Sequence, residues 1–242
     1  MLGSLNLFRT KSRFFGNNWV ILYVYYRVFV YPSFSALGCD CRKRSCTLIE
    51  YFCGLNIVHT DIEGTFIIEP GVFNDSRGYF FESFNKKVFL DKTGLDIDFV
   101  QDNESMSSYG VMRGLHFQFP PFAQAKLVRC VKGSVLDIAL DIRKGSPTFG
   151  QYVSVELTEE NHRQFFIPKG FAHGFAVLSE TAIFQYKCDE FYHPESEGGI
   201  SILDESLCID WRIPADMAVL SEKDTRNPLL KDFDSPFIYG AI

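Results

Sequence analysis

The chain has 242 residues, of which 46% are hydrophobic and 16% aromatic, so it is long enough for one large domain or two small ones with a substantial core. The net charge of −6, without a basic stripe, argues against nucleic acid as a partner. A small anionic substrate is compatible with this charge, because a few arginines can bind phosphate locally.

The first 55 residues differ from the rest of the chain. Basic residues precede an apolar run over residues 19–31, which Arg27 interrupts. The run is too short and too interrupted to predict a membrane span, although basic, apolar and then small residues follow one another as in a signal peptide. We therefore interpret residues 1–55 as an extension, disordered or translated from a misplaced start. Residues 56–242 are expected to form one cytoplasmic domain without a membrane partner.

The cysteine spacing does not indicate a metal site. The first four of the seven cysteines lack a regular C-x-x-C spacing, which argues against zinc. The other three are scattered through the rest of the chain and are expected to be buried and reduced. In chain order the two groups are Cys39, Cys41, Cys46 and Cys53, then Cys130, Cys188 and Cys208.

From residue 56 onwards, strand-sized runs recur at intervals of about ten residues, with Gly and Pro in the turns between them. A short helix is predicted over residues 85–95, ending at Gly94. The tail, residues 204–242, is rich in Pro and Asp and is expected to wrap around the strands. Many short strands with little helix indicate an all-β sandwich or barrel. The predicted strands are residues 57–60, 65–69, 99–102, 113–118, 126–132, 135–142, 152–157, 164–167, 174–178 and 181–187.

The strand that begins at Lys126 has a lysine on an apolar face. Side chains of a strand alternate between two faces, so Lys126 shares its face with Val128 and Cys130. A lysine on an inward face is unfavourable unless it is paired or takes part in function. The alternative is a lysine that extends past the strand end to reach water.

Two histidines follow glycines in similar motifs, His116 in RGLHFQ and His173 in IPKGFAHGF. The P-x-G-x-x-H spacing of the second motif is similar to that of the cupin jelly roll. Metal-binding cupins add a histidine two residues after the first and a glutamate a few residues later, where this chain has Gln118 and Phe122 or Ala123. Two imidazoles alone are a poor catalytic metal site, so no metal is predicted and a metal dioxygenase is the disfavoured alternative.

The remaining candidates form an acid–base set. A neutral histidine can accept a proton from carbon near pH 7, and a lysine can stabilise the enolate that results. A tyrosine can return a proton from another direction, and Tyr186 and Tyr192 are the candidates. Tyr186 is expected to point inward if Phe184 does, because they share a strand face. Each of these residues taken singly is more often structural.

Residues 56–238 resemble the dTDP-4-dehydrorhamnose 3,5-epimerase family of cupins. The motifs that carry the resemblance are IIEPGVFNDSRGYFFESF, FVQDNESMSSYGVMRGLHFQ, AQAKLVRCVKGSVLDIALDIRKGSPTFG, IPKGFAHGFAVLSE and LSEKD. The resemblance implies an all-β cupin-type jelly roll with short peripheral helices. It also implies a homodimer that pairs N-terminal strands across subunits, a dTDP-sugar substrate and no cofactor.

The same resemblance implies roles for individual residues. His116 is implied as the base that removes protons at sugar carbons 3 and 5, and Asp224 as the carboxylate that orients it. Tyr186 is implied as the general acid on the opposite face of the sugar. Lys126 and His173 match residues near the keto oxygen.

Substrate binding is also implied by resemblance. Arg113 and Arg77 match ligands of the diphosphate, and arginine forks suit phosphate geometry. Arg77 and Glu82 would come from the partner subunit. The further substrate contacts implied are Glu82, Gln101, Asp102, Asn103, Tyr192, Glu197 and Lys223.

Two other functions stay open on the sequence. A 3-epimerase or 3,4-ketoisomerase acting on a related dTDP-4-keto sugar belongs to the same enzyme class, but the presence of both His116 and Tyr186 favours double epimerisation. A sugar-nucleotide-binding cupin without catalysis would retain the arginines and would not need a His–Asp–Lys–Tyr set.

Overall fold

The computed structural model describes residues 19–24, 27–32 and 54–241. The chain separates into two units, residues 1–46 and 47–242. In the first unit, strands β1 (Trp19–Val24) and β2 (Arg27–Pro32) pair antiparallel, with Trp19 opposite Pro32. The predictions for the rest of residues 1–53, including the first four cysteines, lie outside the described residues. In the described part of the chain, no helix has the length and apolar character needed to cross a membrane.

The second unit is built from antiparallel strands. Five strands form one sheet in the order β11-β10-β13-β8-β15, and six form a second sheet in the order β3-β4-β12-β9-β14-β7. A separate hairpin consists of β5 and β6. The bounds are β3 Asn56–His59, β4 Phe66–Glu69, β5 Phe73–Asp75, β6 Gly78–Phe80, helix α1 Lys86–Thr93, β7 Gln101–Ser108, β8 Met112–Gln118, β9 Lys126–Lys132, β10 Ser134–Asp141, β11 Tyr152–Thr158, β12 Gln164–Ile167, β13 Phe171–Val177, β14 Thr181–Cys188 and β15 Glu197–Gly199.

The main core lies between the two large sheets. Val128 of β9 and Phe184 of β14 face Val135 of β10 and Phe175 of β13 in one buried cluster. Val128 and Val135 are fully buried, and burying such a side chain contributes roughly 1.5–3 kcal/mol. The predicted all-β jelly roll is therefore confirmed, and so is the inward direction of Phe184.

The tail covers the outer face of the five-stranded sheet. Leu207 and Phe237 pack there against Leu136 and Ile138 of β10. The tail makes a second contact at Val219, which forms an isolated parallel β-bridge with Val111. Backbone hydrogen bonds lie on both sides of this bridge. The prediction that the tail wraps around the strands is confirmed.

Helix α1 has the limits that its sequence indicates. The Asn85 side chain accepts a hydrogen bond from the Val88 amide at its start, and Gly94 at its end adopts a φ of 74° while its amide donates to Leu90. Phe89 anchors the helix in a buried aromatic cluster.

Two sequence predictions need correction. The strand predicted over residues 99–102 is instead β7, which continues to Ser108 as a polar edge strand whose Met106 is 71% exposed. Cys208 is exposed, not buried, and lies at the end of a short 3₁₀ turn with a φ of 51°. Cys130 and Cys188 are buried as predicted.

Candidate active site

A cavity of about 500 Å³ opens into the barrel between the sheets and residues 219–224 of the tail. Its walls come from β8 and β13 of one sheet and from β9 and β14 of the other. Side chains that the sequence singled out separately meet here: Arg113, His116, Lys126, His173, Tyr186, Lys223 and Asp224.

Close packing of β8 and β13 brings the two histidine motifs together. His116 lies opposite His173 in the antiparallel register. Gly114 has a φ of 127°, and a Cβ at this position would lie 2.5 Å from the Gly174 Cα. Glycine is therefore required at position 114 both by its backbone conformation and by the approach of the neighbouring strand.

His116 is paired with Asp224. The His116 Nε2 lies 2.5 Å from Asp224 Oδ1, and the Asp224 side chain is 4% exposed. Burial by itself raises the pKa of Asp224, but hydrogen bonds from His116 and Ser221 outweigh it and hold that pKa below its usual value. An ionised carboxylate only accepts hydrogen bonds, so Nε2 carries the proton and Nδ1 of a neutral ring is the basic nitrogen.

A second histidine–carboxylate pair lies deeper. His173 Nε2 is 2.9 Å from Asp137 Oδ2, and Asp137 is fully buried on β10. Burial raises the pKa of Asp137 and lowers the pKa of His173. The attraction between the two groups opposes both shifts but is smaller. Asp137 Oδ1 has no hydrogen-bond partner among the described residues.

Lys126 places an amine inside the barrel. Burial lowers the pKa of Lys126. The nearby Cys188, Asp137 and Glu197 offset part of this lowering. Its Nζ lies 6.0 Å from the centroid of the Tyr186 ring, and burial raises the pKa of the Tyr186 hydroxyl. The cavity therefore holds an amine with a lowered pKa beside a phenol with a raised pKa.

Arg113 is held in place by a serine. Its Nε and Nη2 donate to Ser107 Oγ at 3.2 and 3.1 Å, and Ser107 is buried. The guanidinium is thereby fixed at the cavity wall, with other N–H groups left to bind an anion.

Lys223, on the cavity wall, is the first member of a hydrogen-bonded network of predicted binding residues. Lys223 forms an ion pair with Glu197, which accepts a 2.6 Å bond from the Tyr192 hydroxyl. This bond raises the pKa of Tyr192 to about 12. Gln101 accepts from the Tyr192 amide and donates to Asn103.

Other predicted residues lie away from the lining of this cavity. Asp102 and Asn103 line a different cavity of about 320 Å³, where Asp102 pairs with Lys187 at 2.8 Å. Arg77 contacts Asp75 beside the β5–β6 hairpin and is 87% exposed, while Glu82 accepts a hydrogen bond from Asn85. The prediction that Arg77 and Glu82 serve a partner subunit stays a prediction.

Sequence reasoning missed Ser107, Asp137 and Ser221. Asp137 could have been noticed as a charge within the apolar run VLDIALDI, whereas the serines carry no such signal. Among the described residues, no group of three or more His, Cys, Asp or Glu side chains is arranged to hold a metal ion.

Comparisons with known proteins agree with the fold. A family model described as dTDP-4-dehydrorhamnose 3,5-epimerase matches residues 59–232. The enzyme of that name from Shigella flexneri is 52% identical over 180 residues, covering 74% of this chain and 98% of the relative.

Two solved structures are similar in both sequence and fold. The dTDP-4-dehydrorhamnose 3,5-epimerase of Elizabethkingia anophelis NUHP1 is 54% identical with a TM-score of 0.72, over 75% of this chain and 99% of that one. A dTDP-6-deoxy-D-glucose-3,5-epimerase of Legionella pneumophila, in complex with dTDP-4-keto-L-rhamnose, is 52% identical with a TM-score of 0.72, over 74% and 95%.

Proposed function

This chain belongs to the dTDP-4-dehydrorhamnose 3,5-epimerase family of isomerases, and on that premise we propose how it inverts two sugar carbons. The proposed substrate is dTDP-4-dehydro-6-deoxy-D-glucose, and the product is dTDP-4-dehydro-L-rhamnose. The observation that carries the proposal is the convergence of His116, Asp224, Lys126 and Tyr186 on one cavity.

His116 is proposed as the base. Carbons 3 and 5 both neighbour the keto group at carbon 4, so loss of either proton gives an enolate. The pairing of Nε2 with Asp224 leaves Nδ1 to accept the proton. The ionised Asp224 then stabilises the imidazolium, as in other histidine–carboxylate pairs.

Lys126 is proposed to stabilise the enolate oxygen. A cation in a water-poor cavity interacts with a developing oxyanion more strongly than it would in water. The buried Asp137 supports this role, because its charge favours the protonated form of Lys126. Asp137 also fixes the orientation of the His173 ring through the Nε2 bond.

Tyr186 is proposed as the acid that returns a proton to the opposite face of the sugar. It lies on β14, across the barrel from His116 on β8. Its raised pKa keeps the hydroxyl protonated at neutral pH, as a proton donor must be.

The nucleotide is proposed to bind at the cavity mouth. Arg113 and Lys223 would bind the diphosphate, with Gln101, Asn103, Tyr192 and Glu197 contacting the rest of the nucleotide sugar. A homodimer is part of the proposal, in which Arg77 and Glu82 of a second subunit complete the site. The cytoplasmic location and the absence of a cofactor stay predictions.

Incubation with dTDP-4-keto-6-deoxyglucose in deuterated water tests the reaction. Deuterium at both carbons 3 and 5, with inversion, is the expected result. Deuterium at one carbon identifies a 3-epimerase or a 3,4-ketoisomerase, which product analysis separates. Binding of the nucleotide sugar without any exchange would identify the chain as a binding protein without catalytic activity.

A further inference from the structure

Ser221 lies on the cavity wall and contacts the carboxylate that is paired with His116. Its Oγ lies 2.7 Å from Asp224 Oδ2, and the Asp224 amide donates to the same Oγ at 3.2 Å. The serine and the aspartate therefore form a reciprocal pair within one turn of the tail.

The direction of the serine proton follows from these two contacts. The Asp224 amide donates, so it occupies a lone pair of Ser221 Oγ. An ionised carboxylate cannot donate, so the hydroxyl proton of Ser221 must lie on Asp224 Oδ2.

Both oxygens of Asp224 are thereby engaged by different groups. Oδ1 accepts from His116 and Oδ2 accepts from Ser221. Two bonds at opposite oxygens fix the plane of a carboxylate, whereas one bond would leave it free to rotate about its χ2 torsion. The orientation of the His116 ring depends on that plane.

We propose that Ser221 is a positioning residue for catalysis: its hydroxyl fixes the Asp224 carboxylate and, through it, the His116 imidazole. This inference rests on the proposed function of His116 as the base. Ser221 acts on the reaction through Asp224 and does not itself transfer a proton to or from the sugar.

Three variants test the proposal. Ser221→Ala removes the hydroxyl and is expected to lower kcat about 10- to 100-fold, the effect of one hydrogen bond to a charged group. Ser221→Thr retains a hydroxyl and is expected to restore most of kcat. Ser206→Ala is the matched control, because it removes a 2.6 Å bond from Ser206 Oγ to the Asp204 carboxylate, away from the cavity, and should leave kcat unchanged.

The pH profile separates positioning from simple loss of a substrate contact. The bond from Ser221 lowers the pKa of Asp224, so its removal should raise that pKa. The acidic limb of kcat against pH should then move to higher pH in Ser221→Ala, with KM nearly unchanged. A rise in KM with an unchanged kcat would instead make Ser221 a substrate-binding residue and overturn the proposal.

Two further outcomes would also refute it. Equal losses of kcat in Ser221→Ala and Ser221→Thr would show that the hydroxyl is not responsible. Loss of the native circular-dichroism spectrum in Ser221→Ala would assign the serine to folding.

A measurement independent of turnover distinguishes this inference from the proposed function. The proton between His116 and Asp224 should give a downfield imidazole resonance in the NMR spectrum of the unliganded protein. The proposal expects this resonance to shift or broaden in Ser221→Ala and to be retained in Ser206→Ala. An unchanged resonance in Ser221→Ala refutes the positioning role, whereas an inactive wild-type protein refutes only the proposed function.

Discussion

The protonation state of single residues decides which steps the cavity can perform. Burial shifts the pKa values of Lys126 and Tyr186 in opposite directions, downward for the amine and upward for the phenol. Both residues must be protonated to act as proposed. We predict that loss of the Lys126 proton, whose pKa is lowered, sets the alkaline limit of activity.

The alkaline limb of kcat is therefore expected below the ordinary lysine pKa of 10.5. It should persist in Tyr186→Phe, which removes the phenol but not the amine. It should move to higher pH in Lys126→Arg, because arginine stays charged throughout this range and only the Tyr186 phenol then loses a proton, although kcat itself should fall. The measurement is kcat against pH for the three proteins, and an alkaline limb that vanishes in Tyr186→Phe would contradict the assignment.

His116→Asn is expected to abolish exchange of solvent deuterium at both carbons. One base serves both positions, and the loss of a general base typically lowers the rate about 10²–10⁴-fold. Binding of dTDP, measured by calorimetry, should survive because the predicted nucleotide contacts are untouched. Exchange at either carbon near the wild-type rate would exclude His116 as the base.

Tyr186→Phe is expected to slow inversion and to spare exchange. His116 can still remove a proton and return one to the same face, while the donor on the other face is gone. NMR should then show a substrate that acquires deuterium with little change of configuration. Parallel loss of exchange and inversion would make Tyr186 a packing or binding residue.

At the scale of whole elements, the contact of β8 with β13 controls the site. Gly114→Ala would place a Cβ 2.5 Å from the Gly174 Cα, and overpacking of this kind costs about 1–3 kcal/mol. Gly78→Ala is the matched control, because its φ of 128° is nearly that of Gly114 but its Cβ would meet nothing within 4 Å. Chemical denaturation should show the larger loss for Gly114→Ala, and equal losses would indicate backbone strain alone.

Local pattern predicted most of these elements. The turns at Gly94 and Gly133 mark real boundaries, and β9 and β12 have the predicted limits. The prediction covers only the start of β7. Its residues, QDNESMSS, alternate in exposure but not in hydrophobicity. An edge strand with little apolar surface leaves a weak signal in sequence.

The candidate site depends on contacts that local pattern cannot give. His116 and Asp224 are 108 residues apart in sequence, and their pairing was expected only from the family resemblance. Ser221 and Ser107 act through hydroxyl geometry, which no spacing rule predicts. The pairing of His173 with Asp137 required knowledge of which strands are neighbours in the sheet.

At the scale of the whole molecule, the sequence predicts that residues 1–55 are dispensable, and the packing of Leu55 moves this boundary to residue 53. The family match begins at residue 59, and Leu55 packs beside the cluster that contains Phe66 and Phe89. A chain that starts at Gly54 therefore retains this contact. It should show the same kcat and the same oligomeric state as the full chain, by turnover assay and light scattering.

The aromatic-rich residues 1–53 are also expected to promote association, so the shortened chain should be more soluble. N-terminal sequencing of the natural protein should find a start near residue 56. An unfolded shortened chain, or a natural protein that retains residues 1–53, would show that the extension belongs to the enzyme.

The tail contributes the carboxylate of the proposed catalytic pair, although every strand of the barrel precedes it in the sequence. Residues 219–224 reach the cavity through the bridge between Val219 and Val111. On the ribosome, the barrel strands emerge before this segment does. A nascent chain can thus complete both sheets and still lack the partner of its base, so catalytic competence begins only when translation has passed Asp224.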